Sequence, residues 1–289
     1  MTDRALSVVR AGALTSVQDE GRFGHAHLGV PRSGALDLPA SRLANRLVGN
    51  APGAAVLEAT LNGCAVRPRC AVTVAVTGAP CPVTVDGRAV AWGAAVRVPS
   101  GAVVEVGAAT RGVRSYLAFA GGVAVEPVLA SRSTDLLSGL GPPPLRDGAV
   151  LPLGRPGRGH PYVDVAPAPG VAHELVLRVR PGPRADWFTP DAQRVLATGR
   201  YRVSSASNRI GLRTEGPALR RAVEGELPSE GMVLGAVQVP PDGLPVVFLA
   251  DHPTTGGYPV IGVVPEPDLA AAAQAAPGTP LRFVVGRGL

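Results

Sequence analysis

The stretch "VVFLADHPTTGGYPVIGVV", residues 246–264, sets Asp251, His252, Thr254, Thr255, Gly256, Gly257 and Tyr258 between two apolar, β-branched runs. That is more hydrogen-bonding capacity than a turn requires. Backbone N–H groups at Thr255, Gly256 and Gly257 suit an anion, because glycine lacks a Cβ and tolerates positive φ. Asp251 stands at a strand end, a good position for an acid or base. A second group is Gln18, Asp19 and Arg22, followed by Ser33, Gly34 and Asp37. It joins an amide, a carboxylate and a guanidinium through glycines that permit close backbone approach. It suits a carboxylate or amide substrate, and equally a loop whose Asp and Arg pair with each other. In "SRST", Ser131 to Thr134, hydroxyls beside an arginine fit an oxyanion or an ordinary capped turn. Ser207, Asn208 and Arg209 in "SASNRIG" and Ser229 with Glu230 in "PSEG" leave two readings open. Either an arginine and a glutamate pair between strands, or Arg209 clamps an acidic substrate while Glu230 acts as base or metal ligand.

Composition excludes several chemistries. The 289 residues include 28 Lys plus Arg, and every one is arginine. No Schiff-base lysine, phosphate-loop lysine or biotinyl-lysine can therefore reside on this chain. The net charge of +6 comes from dispersed arginines without interleaved aromatics, so nucleic acid is not expected as a partner. The cysteines at 64, 70 and 81 match no zinc or redox spacing and read as buried reduced thiols. His25-x-His27 alternates as strand neighbours do, but no third ligand accompanies it and no metal site is expected. No apolar run is long enough to span a bilayer and no signal-peptide core is present, which suggests a cytoplasmic protein. Nucleophile-elbow, HExxH, Walker and GxGxxG patterns are absent.

The elements that must position these groups are mostly short strands. The 37 glycines and 30 prolines are scattered between Val-rich runs, the pattern of a mainly β protein. A helix is expected over 38 to 48, capped by Asp37 and ended by Gly49, with Leu43, Ala44, Leu47 and Val48 on its apolar face. "AVTVAVTG" and "SYLAFAGG" read as strands. "VTVDGRAV" reads as a hairpin on Asp86-Gly87, and "AAVRVPSGAVVEVG" as another. Residues 154 to 172 are the best linker. Beyond it come a strand at "ELVLRVRPG" and a short helix near 190 to 197 behind Thr189 and Pro190. A meander follows, with strands at 232–239, 244–250 and 258–264. Asp268 should cap a last Ala-rich helix. In this meander Glu230 and Asp251 share one end and Gln238 lies at the other. "VQDEGRFGHAHLGV" faintly echoes "SSASNRIGLRTEG", which suits two similar barrels.

Taken in order, "TSVQDEGRFGHAHLGVPRSGALD", "ANRLVGN", "LEATLNG", "YLAFAGG", "SRST", "SNRIG", "PSEGMVLGAVQVPPDGLP" and "LADHPTTGGYPVIGVV" cover nearly the whole chain. Together they resemble the allophanate hydrolase subunit 2 family. It is also called the biotin-dependent carboxyltransferase family, and it takes in KipA-like proteins and the C subunit of 5-oxoprolinase. Ile210 stands where that family usually has Met, and Gly148 where an acidic residue is common.

The resemblance implies two cyclophilin-like β-barrel domains, at 1–160 and 161–289, with a few short helices. It implies a subunit 1 (KipI-like) partner, a LamB/YcsF-like third subunit, and an ATP-dependent 5-oxoprolinase that opens the lactam of 5-oxoproline to glutamate. ATP with Mg is then the expected cofactor, held in part by a partner subunit. Arg22 or Arg209 would bind the substrate carboxylate, with Gln18, Ser33, Ser207 and Tyr258 beside it. Asp19, Glu230 or Asp251 would act as base or metal ligand, and Thr254 to Gly257 would contact an oxyanion or phosphate. Two alternatives stand beside this reading. One is carboxyl transfer to urea or a similar amide from carboxybiotin carried on another protein. The other is a regulatory role against a KipI-like inhibitor of a sensor kinase.

Overall fold

The computed structural model describes residues 4–157, 165, 173–225 and 227–286. The chain is mainly β, with three short α-helices among the described residues. It divides into two compact units that are not contiguous in sequence. The first comprises Met1–Arg22, Ser33–Asp135 and Gly139–Val171; the second comprises Phe23–Arg32, Leu136–Ser138 and Ala172–Leu289. The expected boundary between 160 and 161, and most of the expected linker, lie outside the described residues.

The first unit is built on two antiparallel sheets. One runs in the order Val150–Pro152, Ala5–Arg10, Cys64–Pro68, Val104–Val106, Val83–Val85, Arg88–Val90. The other runs Thr15–Gln18, Val56–Thr60, Arg114–Phe119, Val72–Gly78, Val96–Val98. Arg114–Phe119 is buried at every position, because it is paired on both edges and covered by the helix Leu38–Leu47. Leu6, Val17, Leu57, Val66, Val74, Val104, Leu117 and Phe119 share one core. Asp37 caps the helix by accepting from the Ala40 N–H at 3.1 Å. Asp86 (φ 48°) and Gly87 (φ 76°) form the tight turn expected of them.

The second hairpin does not form. Val96–Val98 pairs with Val72–Val74 in one sheet, while Val104–Val106 lies between Cys64–Val66 and Val83–Val85 in the other. Each strand finds a longer apolar partner than its neighbour in sequence, and the intervening Pro99-Ser100-Gly101 lets the chain change sheets.

In the second unit seven strands close a barrel in the order Leu175–Pro181, Val260–Val263, Ala236–Gln238, Val246–Phe248, Gly211–Glu215, Tyr201–Val203, Pro280–Val285. Closure joins the first and last of these in parallel. At the seam of Leu175–Pro181 with Val260–Val263, a Cβ on Gly262 would lie 2.2 Å from Val179 Cγ1, so only glycine fits. The helix Pro190–Thr198 starts where expected, with the Thr189 side chain accepting from Ala192 N. The helix Glu266–Ala273 has Pro265 at its cap; Asp268 lies inside the first turn and binds Arg178 instead.

The expected meander is rearranged. Ala236–Gln238 is the middle strand, antiparallel to both Val246–Phe248 and Val260–Val263. Those two outer strands are therefore parallel to each other. A parallel pair cannot be joined by a hairpin, so the segment between them must return along the length of the barrel. "ADHPTTGGYP" is that return, which is why it is longer and more polar than a turn. It covers an outer apolar patch of Met232, Ala236, Val246, Phe248 and Val260. The His252 ring stacks on Phe248, with centroids 5.8 Å apart.

Candidate functional site

In the first unit the residues singled out by sequence form a buried hydrogen-bonded knot. The Asp19 carboxylate accepts from Ser131 Oγ and Ser133 Oγ, each at 2.6 Å, and from the N–H groups of Arg132 at 2.6 Å and Gly21 at 2.8 Å. Asp19 therefore binds hydroxyls and amides, not Arg22. Arg22, 2% exposed, donates to the carbonyls of Val128 and Ser133. Gln18 Nε2 donates to Ser16 Oγ and the Thr134 carbonyl, and Ser33 Oγ donates to the same carbonyl. Through these bonds all four hold the 128–134 loop against the 18–22 turn, while Gln18 Oε1 and Arg22 Nη1 are buried without a hydrogen-bond partner among the described residues. The anion-binding reading of "SRST" gives way to this one, because Ser131 and Ser133 face Asp19.

Sequence reading missed a neighbouring cluster. Glu58, 1% exposed, accepts from Tyr116 Oη at 2.9 Å and from Leu36 N at 3.0 Å, with Arg114 Nε at 3.7 Å. Tyr116 Oη in turn accepts from Asp37 N. Burial, and then the adjacent Glu58 charge, push the Tyr116 phenol well above its ordinary range. The cluster pins the start of the helix to the sheet. Glu58 and Arg114 sit opposite Tyr116 and Thr60 across one strand pair, a register that sequence does not reveal.

In the second unit Arg209 and Asp251, 1% and 0% exposed, form a two-pronged ion pair: Nε to Oδ2 at 2.9 Å and Nη2 to Oδ1 at 3.0 Å. Asp251 Oδ2 also accepts from Leu136 N at 3.1 Å, and Asp251 N donates to the Arg209 carbonyl. Each charge is occupied by the other, so neither is presented to a substrate. Arg22 and Arg209, which occupy matching places in the sequence echo, are both among the largest fully buried side chains of the described residues.

Glu230 is not joined to Asp251. It binds Arg184 through both carboxylate oxygens, and that hydrogen bond lowers its pKa. A carboxylate made less basic in this way is poorly suited to act as a general base. Glu230–Gly231 also pairs with Thr255–Gly256 as a two-stranded ribbon, and Met232 N donates to the Thr254 carbonyl. The expected anion loop is thus laced to its neighbour instead of lying open. Neither Gly256 nor Gly257 takes positive φ. Gly256 packs against the end of the Gln238 side chain: a Cβ there would lie 2.9 Å from Gln238 Nε2. Gln238 consequently sits beside Gly256 and Tyr258, not at the far end of the unit as the meander implied. Ser207 is also a structural element, since its Oγ accepts from Arg213 N. His25 caps a 3-10 turn, Ala26–Leu28, and His27 lies within it, so the two are not strand neighbours.

An accessible pocket does occur on the outer wall of the barrel. It encloses about 310 Å³ and is lined by Asn208, Ile210, Gly211, Arg213, Gln238, Pro240, Val246, Phe248 and Tyr258. Its construction follows from register. Arg213 and Gln238 both stand opposite Val246, one on each side, and Gly211 stands opposite Phe248. Strands lie about 4.8 Å apart, so the Arg213 and Gln238 backbones are separated by roughly 10 Å across an apolar floor. Gly211 leaves the floor open. The return segment covers the wall only as far as Gly256 and Tyr258, and the pocket begins there. Of the residues singled out in the sequence, Asn208 and Tyr258 line it, with Gly256 behind the Gln238 amide.

A family model described as carboxyltransferase domain, subdomain A and B, matches residues 28–285. The chain belongs to this carboxyltransferase family. The resemblance carried by the motifs is borne out. The chain is 41% identical over 285 residues to the C subunit of 5-oxoprolinase from Escherichia coli (strain K12), covering 96% of this chain and 90% of that one. It is 33% identical over 306 residues to Saccharomyces cerevisiae urea amidolyase, covering 97% of this chain and 16% of that protein. Among solved structures, Kluyveromyces lactis urea carboxylase matches with a TM-score of 0.90 at 31% identity, over 98% of this chain and 27% of that one. The chain thus spans only a minor part of the urea-acting proteins.

For a carboxyltransferase-family chain expected to use ATP with Mg, the donor set matters. Among the described residues no group of three His, Cys, Asp or Glu could hold a metal ion. Asp19 and Asp251 are buried and, with Glu230, bound to partners within the chain. The chain also lacks lysine. The three carboxylates expected to act as base or metal ligand are thus engaged within the chain. No helix among them is long and apolar enough to cross a membrane.

Proposed function

We propose that this chain is one subunit of a hetero-oligomeric, ATP-dependent 5-oxoprolinase. In this reading it works with a subunit 1 (KipI-like) protein and a LamB/YcsF-like subunit to open the lactam of 5-oxoproline to glutamate. The observation that carries the reading is the 41% identity to the Escherichia coli C subunit of 5-oxoprolinase, over 90% of that protein's length. The outer-wall pocket supports it, because it offers amide-reading groups without a carboxylate base or metal set. Such a pocket binds and orients an amide, while nucleotide and the attacking water belong to partner subunits. The test is reconstitution: the three purified subunits should form glutamate from 5-oxoproline and ATP, and omission of this chain should abolish it. Absence of glutamate from the complete, assembled set would overturn the assignment.

A second reading is favoured by the similarity to urea amidolyase and urea carboxylase. Here the same pocket would hold the amide that accepts a carboxyl group from carboxybiotin on another protein. Transfer of labelled carboxyl from a carboxylated biotin carrier to urea would support it, and copurification without any biotinylated partner would count against it.

A further inference from the structure

We propose that Arg213 is the specificity-determining residue of the outer-wall pocket, binding the carboxylate of a small amide ligand. This rests on the amide-acting reading above and deepens it. The first observation is that the Arg213 head is uncommitted. In the second unit Arg178, Arg184, Arg194, Arg209 and Arg282 each pair with a carboxylate. Of its described arginines left without a side-chain partner (Arg180, Arg200, Arg213 and Arg220), only Arg213 lines the pocket. The Arg213 guanidinium, on an exposed residue, makes no ion pair or hydrogen bond among the described residues. Its backbone, by contrast, is fixed. Arg213 N donates to Ser207 Oγ at 3.0 Å, and its carbonyl accepts from Ser204 N at 2.9 Å. A free cation is therefore held on a rigid mount at the wall of a cavity.

The second observation is what faces it. Gln238, 6% exposed, commits its Nε2 to the Tyr258 carbonyl at 3.3 Å, while its Oε1 accepts nothing from the described residues. Asn208 Oδ1 accepts from Ile210 N and Gly211 N, which leaves Nδ2 as a donor. One acceptor, one donor and one cation thus surround a floor of Val246 and Phe248 with Pro240 and Ile210 beside it. A lactam carboxylate presents the complement: an N–H, a C=O, a short methylene edge and one negative charge. Urea would satisfy the amide groups but leave Arg213 unanswered. The volume, about 310 Å³, lies at the small end of ligand sites.

The test uses the full-length chain, alone and in the reconstituted complex. For the chain alone, saturation-transfer NMR compares 5-oxoproline, 2-pyrrolidinone (the same ring without the carboxylate) and urea. The wild type should bind 5-oxoproline in preference to the other two, and Arg213→Gln should erase the preference. In the complex, Arg213→Gln should raise KM for 5-oxoproline about 10- to 100-fold, the worth of a hydrogen bond to a charged group, with kcat little changed. Arg213→Lys should recover part of the loss. Equal binding of the three probes by the wild type, absence of binding, or an unchanged KM in the variant would each overturn the inference. An unchanged KM in a complex that makes glutamate would leave the 5-oxoprolinase reading standing. Carboxylate-selective binding lost in Arg213→Gln, with no glutamate from the complex, would support the inference and refute that reading.

Discussion

Replacing Asp251 separates a structural from a catalytic role for the most polar stretch of the chain. Asp251→Ala leaves the Arg209 guanidinium 1% exposed with its two-pronged partner gone, and deprives Leu136 N of its acceptor. Breaking a buried pair from one side costs about 3–5 kcal/mol, because the remaining charge stays desolvated. Set against a typical domain stability of about 5–15 kcal/mol, that is a large fraction. At about 4 °C per kcal/mol for a unit of this size, the melting temperature of the second unit should fall by roughly 12–20 °C. The assay is urea unfolding followed by near-UV circular dichroism, with calorimetry as a second probe. Arg209→Met combined with Asp251→Leu removes both charges and should recover most of the loss, since an apolar pair of similar volume often matches a buried ion pair. Two results would refute the reasoning. One is Asp251→Ala with wild-type stability. The other is a double variant no more stable than the single one, which would mean the cost lay elsewhere. An Asp251→Ala chain that folds normally yet supports no turnover would restore the catalytic role.

The remaining predictions concern other parts of the chain. Asp19→Ala should destabilise the first unit by about 3 kcal/mol or more, as four hydrogen bonds to a buried charge are lost; 5-oxoproline binding by the folded fraction should be unchanged, as titration below the melting point will show. Glu230 is held below its ordinary pKa by Arg184, so its stabilising contribution is full above the unfolded-state value near 4.5 and fades as pH falls through the lower folded value. Glu230→Gln should therefore flatten the acid limb of the stability–pH curve and leave stability at high acidity unchanged. Burial pushes the Cys64 thiol up to about 12. In a timed reaction with a disulfide reagent at pH 8, the half-buried Cys70 should be labelled first and Cys64 only on unfolding.

Local patterns are legible because they depend on neighbours in sequence. Asp37 before an apolar helical face, Asp86-Gly87 between alternating runs, and Thr189-Pro190 at a helix start all do what their chemistry dictates. The 96–106 hairpin fails because strand pairing is decided by the best available partner, and both partners are distant in sequence. The charged residues stand out as special, but their roles do not. Asp19, Arg22, Arg209 and Asp251 look the same in sequence whether they await a ligand or bind within the chain. Only burial and geometry tell the two apart. Arg213 follows the singled-out "SASNRIG" stretch but carries no mark of its own in the sequence, and the expected meander sets Gln238 at the wrong end of its unit.

The amino-acid sequence by itself determined the mainly β character, the absence of lysine chemistry, and membership of the carboxyltransferase family, since composition, turn signals and ordered motifs are properties of the chain. Tertiary structure alone decided which polar groups remain available. The strand Ala236–Gln238 comes to lie between two parallel neighbours, so the polar segment after Phe248 becomes a strap that returns along the barrel. The same register sets Arg213 and Gln238 on either side of Val246. The physical reason is that cross-strand proximity arises only when the barrel closes, and closure sets the register of residues that the sequence keeps far apart.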